Sequence, residues 1–562
     1  VRAFTGRDWL QTTRIFQYVA TLRATSLRIR INIWFYLGLL SLLVIFLRLP
    51  SLELPFDNDN GVDAYHARLI LGGEPLYGTH HPAHHLPGIY YTHVMAFLLF
   101  GDSLWAVKLF LMLWVIISLY LLYGLGLLLK DGVVGLLAGL FYAILSSHLL
   151  LLGQNAPLEL FANTVRLAAI LLLLVYLATR QALDWRLMWV GVLSACAFLF
   201  KAVYLSPLAL AGFILLVEGW RNRSINVTLR RSLWLGFGFL LGLLPIIIYF
   251  GLLGLWPRLY LVFILGQRYV DASASMPYMV LYPLMGLAIN NVLLLMFSLA
   301  GLFIIGVSGY RNYRGHLSQV TPTAYIVAAW YLLSLLEAGI NRSPYPHYFL
   351  LLLPPLVLLA AWFVRITYLY LRNQSRPLYR FSLALSMTLL LALTLVISIS
   401  QNFSYHAHYW RYKLGLESYE NFLVKGWPAD GPGLVRTLQL ADYIQKHTSP
   451  SDQIYYWSDW VQLYYHANRR SAFDIVWPIF AADIGHYQQI SALDSKYDIF
   501  NKSTKYIIID QSTDKPPPSR PDWFNAALVE KYELETVLAD QEIYRCLNCT
   551  ESGQVSTNQD KP

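Results

Sequence analysis

The sequence predicts a mainly α protein: a polytopic bundle of about eleven transmembrane helices followed by a small C-terminal α/β domain. Three observations carry this reading. The 562 residues are 56% hydrophobic and only 13% charged, where a soluble domain carries about a quarter. Several apolar runs approach the ~20 residues that a helix needs to cross a bilayer. After about residue 400 those runs stop, and a polar sequence with mixed helix and strand patterns takes over. The net charge of +9 does not point to nucleic acid, because the basic residues lie between apolar runs, where they orient helices.

In chain order, residues 1–30 carry Arg2, Arg7, Arg14, Arg23, Arg28 and Arg30 against Asp8. The apolar run that follows is too long for a signal-peptide core and lacks a small-residue cleavage pattern, so this segment reads as a cytoplasmic tail. Hydropathy then predicts spans near 31–50, 104–129, 132–152, 157–178, 187–203, 205–220, 232–252, 280–307, 322–338, 347–370 and 380–400, together a transmembrane domain over 31–400. The run Ile89–Phe100 is too short to cross and reads as a juxtamembrane or re-entrant piece of the first outer loop, 51–103.

Charge tests that count. With the N-terminus inside, the inner loops hold Lys130, Arg180, Arg186, Arg221, Arg223, Arg230, Arg231, Arg311, Arg314, Arg365, Arg372, Arg376 and Arg380. The outer loops hold few: Arg68, Arg258, Arg268 and Arg342, with Lys201 near a helix end. The positive-inside rule requires this asymmetry. It supports eleven spans in a multi-pass membrane protein, with the first loop and the C-terminal domain outside.

Residues 401–550 read as that extracytoplasmic domain. Pro432–His447 is helix-like, with Leu434, Leu438, Ala441, Tyr443 and Ile444 on one face. Asp452–Trp457 and Lys505–Asp510 read as short buried strands, Val461–His466 as helical, Lys515–Pro521 as a Pro-rich turn and Glu542–Cys546 as a last strand. Residues 551–562 read as a disordered polar tail. Cys196 lies in an apolar run. Cys546 and Cys549 form one CxxC, a weak zinc signal because a structural site needs four ligands. A local disulfide and a pair of free thiols are both open.

The chemistry is expected in the first outer loop. Ser51–Gly88 holds Glu53, Asp57, Asp59, Asp63 and Glu74, with His66, His80, His81, His84 and His85, one Arg and no Lys. Ionisable groups beside a bilayer are costly unless they act on something or face water. Asp57, Asp59 and Asp63 are the catalytic candidates, since a carboxylate can take the proton of an acceptor hydroxyl. The competing reading is an acid-rich helix start, with Asp59 or Asn60 as N-cap and the helix dipole favouring the acids. For the run His80–His85 the readings are a solvated loop, a phosphate or substrate contact, or, least favoured, a metal.

Other polar groups stand at outer helix ends. Gln154, Asn155 and Glu159 lie at one turn, where Glu159 also suits the helix dipole. Lys201 can snorkel. Lys201, Arg342 and His347 together are candidates for clamping an anionic headgroup; each alone is also an ordinary interfacial anchor. Asn341-Arg-Ser and Asn548-Cys-Thr match the weak glycosylation sequon.

These residues resemble a known class. The pattern is Asp59-Asn-Gly, Tyr65-His-Ala67-Arg68 and Gly73-Glu-Pro-Leu-Tyr77 in the first loop, then His85-Leu-Pro87-Gly88, Phe100-Gly-Asp-Ser, Ala106-Val-Lys108, Pro346-His347-Tyr348 and Pro354-Pro355. Ala441-Asp-Tyr-Ile, Asp452-Gln-Ile-Tyr and Trp457 add a resemblance to the outer domain of many bacterial members. The chain resembles the GT-C class of integral-membrane glycosyltransferases. More narrowly, it is similar to the bacterial protein O-mannosyltransferase-like and lipid A aminoarabinose transferase-like enzymes (glycosyltransferase family 39-like).

The resemblance implies transfer of a sugar from a polyprenyl-phosphate donor to an acceptor hydroxyl of a glycan, lipid or protein outside the cytoplasm. It implies inversion at the anomeric carbon and an acidic first-loop residue as general base. The family's Asp-Glu pair falls on Asp59-Asn60, which makes Asp59 the expected base; Asn60 departs from the usual Glu, and Asp57 or Asp63 is the compensating candidate. His85 stands where the family often has Lys. The expected donor-phosphate contacts are Arg68, His85, Lys201, Arg342 and His347, and the expected substrate-pocket residues are Tyr65, Glu159 and Tyr345. No metal and no cofactor are expected beyond the lipid-linked sugar as co-substrate. Two alternatives stand beside this one: a glycan ligase or oligosaccharyltransferase-like enzyme, faintly suggested by Trp457-Ser-Asp-Trp460, and a transporter or flippase, disfavoured because no internal repeat is evident.

Overall fold

The computed structural model describes residues 27–78, 80, 85–179, 184–267, 276–314, 320–340, 345–428, 430–478, 499–500, 503–513 and 516–549. It divides into two compact units, one of residues 1–52, 108–247 and 269–404, the other of residues 53–107, 248–268 and 405–562.

The first unit is helical. Each of the eleven apolar runs forms helix, and among the described residues seven helices are long and apolar enough to cross a membrane: Asn32–Glu53, Leu104–Leu129, Leu158–Thr179, Ile225–Leu252, Asn291–Asn312, Pro346–Arg372 and Pro377–Ser400. This is a multi-pass membrane protein. The count of eleven crossings does not follow from these helices. Gly132–Leu145 and Arg186–Phe200 have 14 and 15 residues. At 1.5 Å per residue each extends little more than about 20 Å, short of the ~30 Å hydrocarbon core. Gly132–Leu145 stops where Ser146 and Gly153 turn their carbonyls to the buried Arg48 guanidinium. Hydropathy counted the residues after that stop as part of the run.

Within this unit the centre and the periphery differ. The apolar windows of Leu158–Thr179 and Pro346–Arg372 are 78% and 83% buried, against 17% and 11% for Ile225–Leu252 and Pro377–Ser400. The first two are therefore packed by protein on all sides, and the last two offer their apolar faces to lipid.

The second unit joins the first loop to the C-terminal domain. Its first-loop part is the helix Asn58–Leu71 and the short apolar helix Pro87–Phe100, the latter at 14 residues too short to span, as hydropathy predicts. Its C-terminal part has the helices Tyr419–Gly426, Gly431–His447, Leu463–Ala467 and Asp522–Lys531. Among the described residues the five strands are β1 (Gln453–Trp457), β2 (Arg470–Ser471), β3 (Thr504–Asp510), β4 (Tyr532–Leu538) and β5 (Gln541–Cys546). They form one sheet in the order β2-β1-β3-β5-β4. β1 runs parallel to β2 and β3, whereas β5 is antiparallel to both β3 and β4. The apolar runs of β1 and β3 lie buried at its centre, as their sequence predicts. Cys546 and Cys549 are disulfide-bonded.

Candidate active site

The first-loop helix begins at its acids, and the structure gives the three of them different partners. Asp57 is the N-cap of Asn58–Leu71. Its Oδ1 accepts from the Asn60 backbone N–H at 3.0 Å and from the Asn60 side-chain amide at 2.6 Å. Burial, reinforced by the neighbouring Asp59 charge, pushes the Asp57 carboxyl up to about 6, against the pull of the two Asn60 hydrogen bonds. Asp63, one turn on, is buried and accepts from His85 Nδ1 at 3.2 Å. Asp59 stands in the first turn of the helix. Among the described residues its carboxylate takes part in no hydrogen bond or ion pair. Asn60 in place of a second acid is what lets residue 60 donate to Asp57 rather than repel it.

The rest of the helix is tied to the C-terminal domain of the same unit. Arg68 donates from Nε to Asp102 at 2.6 Å and from Nη1 to the Tyr465 carbonyl and Asn468 Oδ1, each at 3.0 Å. Its guanidinium lies 4.0 Å from the centre of the Tyr465 ring. The Tyr65 hydroxyl accepts from the Ser471 N–H at 3.1 Å. Gly61 permits the closest approach: a Cβ there would sit 2.1 Å from Gln462 Cβ. Further along, Glu74 pairs with Arg470 at 2.6 Å, and His80 Nε2 lies 3.1 Å from the Ser471 carbonyl. The buried Arg258 donates to both Asp474 oxygens, at 2.5 and 2.6 Å, and to the Tyr77 carbonyl at 2.7 Å. His66 is sealed in; burial pushes its imidazole down to about 4, and its Nδ1 donates to the Val62 carbonyl at 2.8 Å.

The expected residues thus separate. Tyr65 and Arg68 join the first-loop helix to the C-terminal domain, and His85 faces Asp63. Tyr465 and Asp474 were not singled out from sequence, and Asp102 and Arg258 were noted only within a motif and among the outer-loop arginines, since nothing local shows partners such as Tyr465 or Asp474 hundreds of residues away. His81 and His84 lie outside the described residues. Among the described residues no group of three or more His, Cys, Asp or Glu could hold a metal ion.

In the transmembrane unit, a second set gathers. The Lys201 ammonium lies 3.9 Å from the centre of the Tyr348 ring. His347 meets that ring edge-on at 4.6 Å and stacks on Tyr345 at 5.7 Å. Glu159, fully buried, accepts from the Tyr204 hydroxyl at 2.8 Å. Gln154 donates to the carbonyls of Leu47 and Ser147 at 2.9 and 2.7 Å. Arg342 lies outside the described residues. The structure therefore brings Lys201, His347 and Tyr345 together around Tyr348. The helix C-terminus that Lys201 caps and the Tyr348 ring face both favour a cation there, and an ammonium is chemically suited to an anionic group.

The chain was compared with known proteins. Residues 80–250 match the family model of dolichyl-phosphate-mannose-protein mannosyltransferases. Residues 436–544 match the model of the C-terminal domain of competence-induced protein Ccs4. Among curated proteins nothing matches the chain. Among solved structures, ArnT from Cupriavidus metallidurans is similar in its apo state with a TM-score of 0.57 at 15% identity, over 90% of this chain and 97% of ArnT. ArnT bound to undecaprenyl phosphate gives the same values. The apo oligosaccharyltransferase of Archaeoglobus fulgidus gives a TM-score of 0.47 at 13% identity, over 85% of this chain and 69% of that one. The chain resembles the GT-C glycosyltransferases: it has the fold of ArnT, and residues 80–250 carry the pattern of the dolichyl-phosphate-mannose-protein mannosyltransferase family.

Proposed function

We propose that this protein is a membrane glycosyltransferase that moves a sugar from a polyprenyl-phosphate donor to an acceptor hydroxyl on the extracytoplasmic side of the inner membrane, with Asp59 as general base. The observation that carries the reading is the sorting of the three first-loop acids. Asp57 caps the helix, Asp63 faces His85, and Asp59 keeps an uncommitted carboxylate at the head of a braced helix. The donor class is supported by the ArnT fold, ArnT itself having been solved with undecaprenyl phosphate.

In this scheme the acceptor oxygen attacks the anomeric carbon while Asp59 takes the hydroxyl proton. The bond from the anomeric carbon to the phosphate oxygen breaks, and its electron pair leaves with the lipid phosphate. A single displacement inverts the anomeric centre. A phosphate headgroup needs positive charge, and we assign its binding to Lys201, with His347 and Tyr345 around the same ring. The step as written calls on no metal and no cofactor.

The test is transfer from polyprenyl-phosphate pentoses and hexoses in liposomes, comparing wild type with Asp59→Asn, with and without chelator. General-base catalysis contributes about 10²–10⁴-fold, and Asp59→Asn should lose that much while the chelator changes nothing. Full activity in Asp59→Asn would move the base to Asp57 or Asp63. Loss with chelator would favour a metal-dependent glycan transfer instead.

A further inference from the structure

Pro354 and Pro355 follow the 3₁₀ segment Pro346–Leu352. Proline has no N–H, so the Leu351 carbonyl lacks both its i+3 and its i+4 donor. The Leu350 carbonyl keeps the Leu353 N–H but lacks its i+4 donor, Pro354. Both are buried, and an unpaired buried carbonyl is costly. The side chains of another helix, Leu158–Thr179, replace what the prolines remove. Asn163 Nδ2 donates to the Leu350 carbonyl at 2.8 Å, and Arg166 Nη1 to the Leu351 carbonyl at 3.0 Å and to Asn163 Oδ1 at 2.9 Å.

Arg166 is fully buried. Its Nη2 also reaches Ser206 Oγ at 3.0 Å, Ser334 Oγ at 2.8 Å and Glu337 Oε2 at 2.5 Å. Glu337 Oε1 in turn accepts from the Ser206 N–H at 2.5 Å, at the start of the helix Ser206–Asn222. One hub therefore grips two chain segments. The first runs back from Ser206 through a short turn to Lys201. The second runs back from Leu351 by one 3₁₀ turn to Tyr348, since three residues make a turn of that helix. Lys201 and Tyr348 are the pair that meet at 3.9 Å.

We infer that Arg166, with Asn163 and Glu337, is a positioning residue for the Lys201–Tyr348–His347 cluster: it sets the rotation of the 3₁₀ segment that presents the ring and histidine to the lysine. This rests on the headgroup reading of that cluster. Arg166 touches no substrate; it acts through the two carbonyls and Ser206.

The experiment is equilibrium binding of undecaprenyl phosphate to the purified full chain in nanodiscs, reading Kd and the number of sites separately. Lys201→Ala tests the cluster; Arg166→Lys and Asn163→Ala test the hub. Asn163→Ala removes the donor to the Leu350 carbonyl and the acceptor of one Arg166 hydrogen bond, and leaves the Arg166–Glu337 pair in place, so it decides should Arg166→Lys fail to fold. The expected result is a Kd raised about tenfold in Lys201→Ala, one lost charge-assisted contact, and raised several-fold in both hub variants with the site number unchanged. A purely structural role would lower the site number and leave Kd alone, which overturns the inference. So does an unchanged Kd in Asn163→Ala when Lys201→Ala binds weakly. An unchanged Kd in Lys201→Ala overturns the headgroup reading itself, and the inference with it.

Discussion

Arg68 and Arg166 each tie together parts of the chain that are far apart in sequence, but in different surroundings. Arg68, in the unit of the first loop, pairs with Asp102 where water still reaches both: their side chains are 28% and 35% exposed. Arg166, in the transmembrane unit, pairs with Glu337 at 0% and 8%. The same bond type therefore does different work. Where water competes, the pair contributes little energy and fixes geometry through several weak contacts. Where it does not, neither charge can stand alone, and the pair stabilises the bundle only as an intact set.

The sharpest way to break this contrast is to remove one partner of the dry pair. Glu337→Leu leaves a buried guanidinium uncompensated and should cost about 3–5 kcal/mol, read as a large drop in thermal unfolding temperature in detergent. The double change Arg166→Met with Glu337→Leu should recover much of that, because apolar replacement of a whole buried pair is often near neutral. A single change as harmless as the double would show that the pair is wetter than its burial implies.

Between the extremes stands Gly61. Any side chain there meets Gln462 Cβ at 2.1 Å and its Cα at 2.6 Å. Gly61→Ala should destabilise by about 1–3 kcal/mol, the usual toll of overpacking, and Gly61→Val by more. If Gln462→Gly, which removes that Cβ, relieves most of the Gly61→Ala loss in the same chain, side-chain contact is the cause; if not, the clash is with backbone. The wet pair comes next. A double-mutant cycle on Arg68→Ala and Asp102→Ala should return a coupling of about 0.2–1 kcal/mol that shrinks with added salt. A coupling of several kcal/mol, insensitive to salt, would place Arg68 in the same class as Arg166.

How much of this was legible in the sequence follows the range of each interaction. Local signals held. The apolar runs are helices, the strands near Asp452–Trp457 and Lys505–Asp510 form the sheet centre, and the acids near Asp57 mark a helix start. The cap reading proved right for the helix, with Asp57 rather than Asp59 or Asn60 as the capping residue. β4 was missed because it is an edge strand whose exposed Glu533 and Glu535 mask its pattern. The count of eleven spans is not confirmed by helix length, because hydropathy does not see where Arg48 and the Ser146–Gly153 turn end a helix. Pairings such as Arg68–Asp102 with Tyr465, or Arg258–Asp474, join residues up to 397 apart and leave no local trace. Arg166 and Glu337 did leave one, as lone charges inside apolar runs, the usual mark of an intramembrane site; periodicity alone could not pair them.

The last prediction is the most local, and it separates Asp57 from Asp59. The Asp57 carboxyl is raised from 3.8 to about 6, chiefly by burial. Between those values the folded state holds a proton that the unfolded chain releases, so stability should fall as pH rises from about 4 to 6 and level off above. Asp57→Asn keeps a cap acceptor without the charge, so it should abolish that slope. Chemical denaturation at a series of pH values reads it directly. Asp59→Asn should leave a slope of the same sign, made shallower because the Asp59 charge is the second contribution to the Asp57 shift. If Asp59→Asn abolished the slope and Asp57→Asn did not, the titrating carboxylate would be Asp59, and the separation of cap from base at the head of this helix would fail.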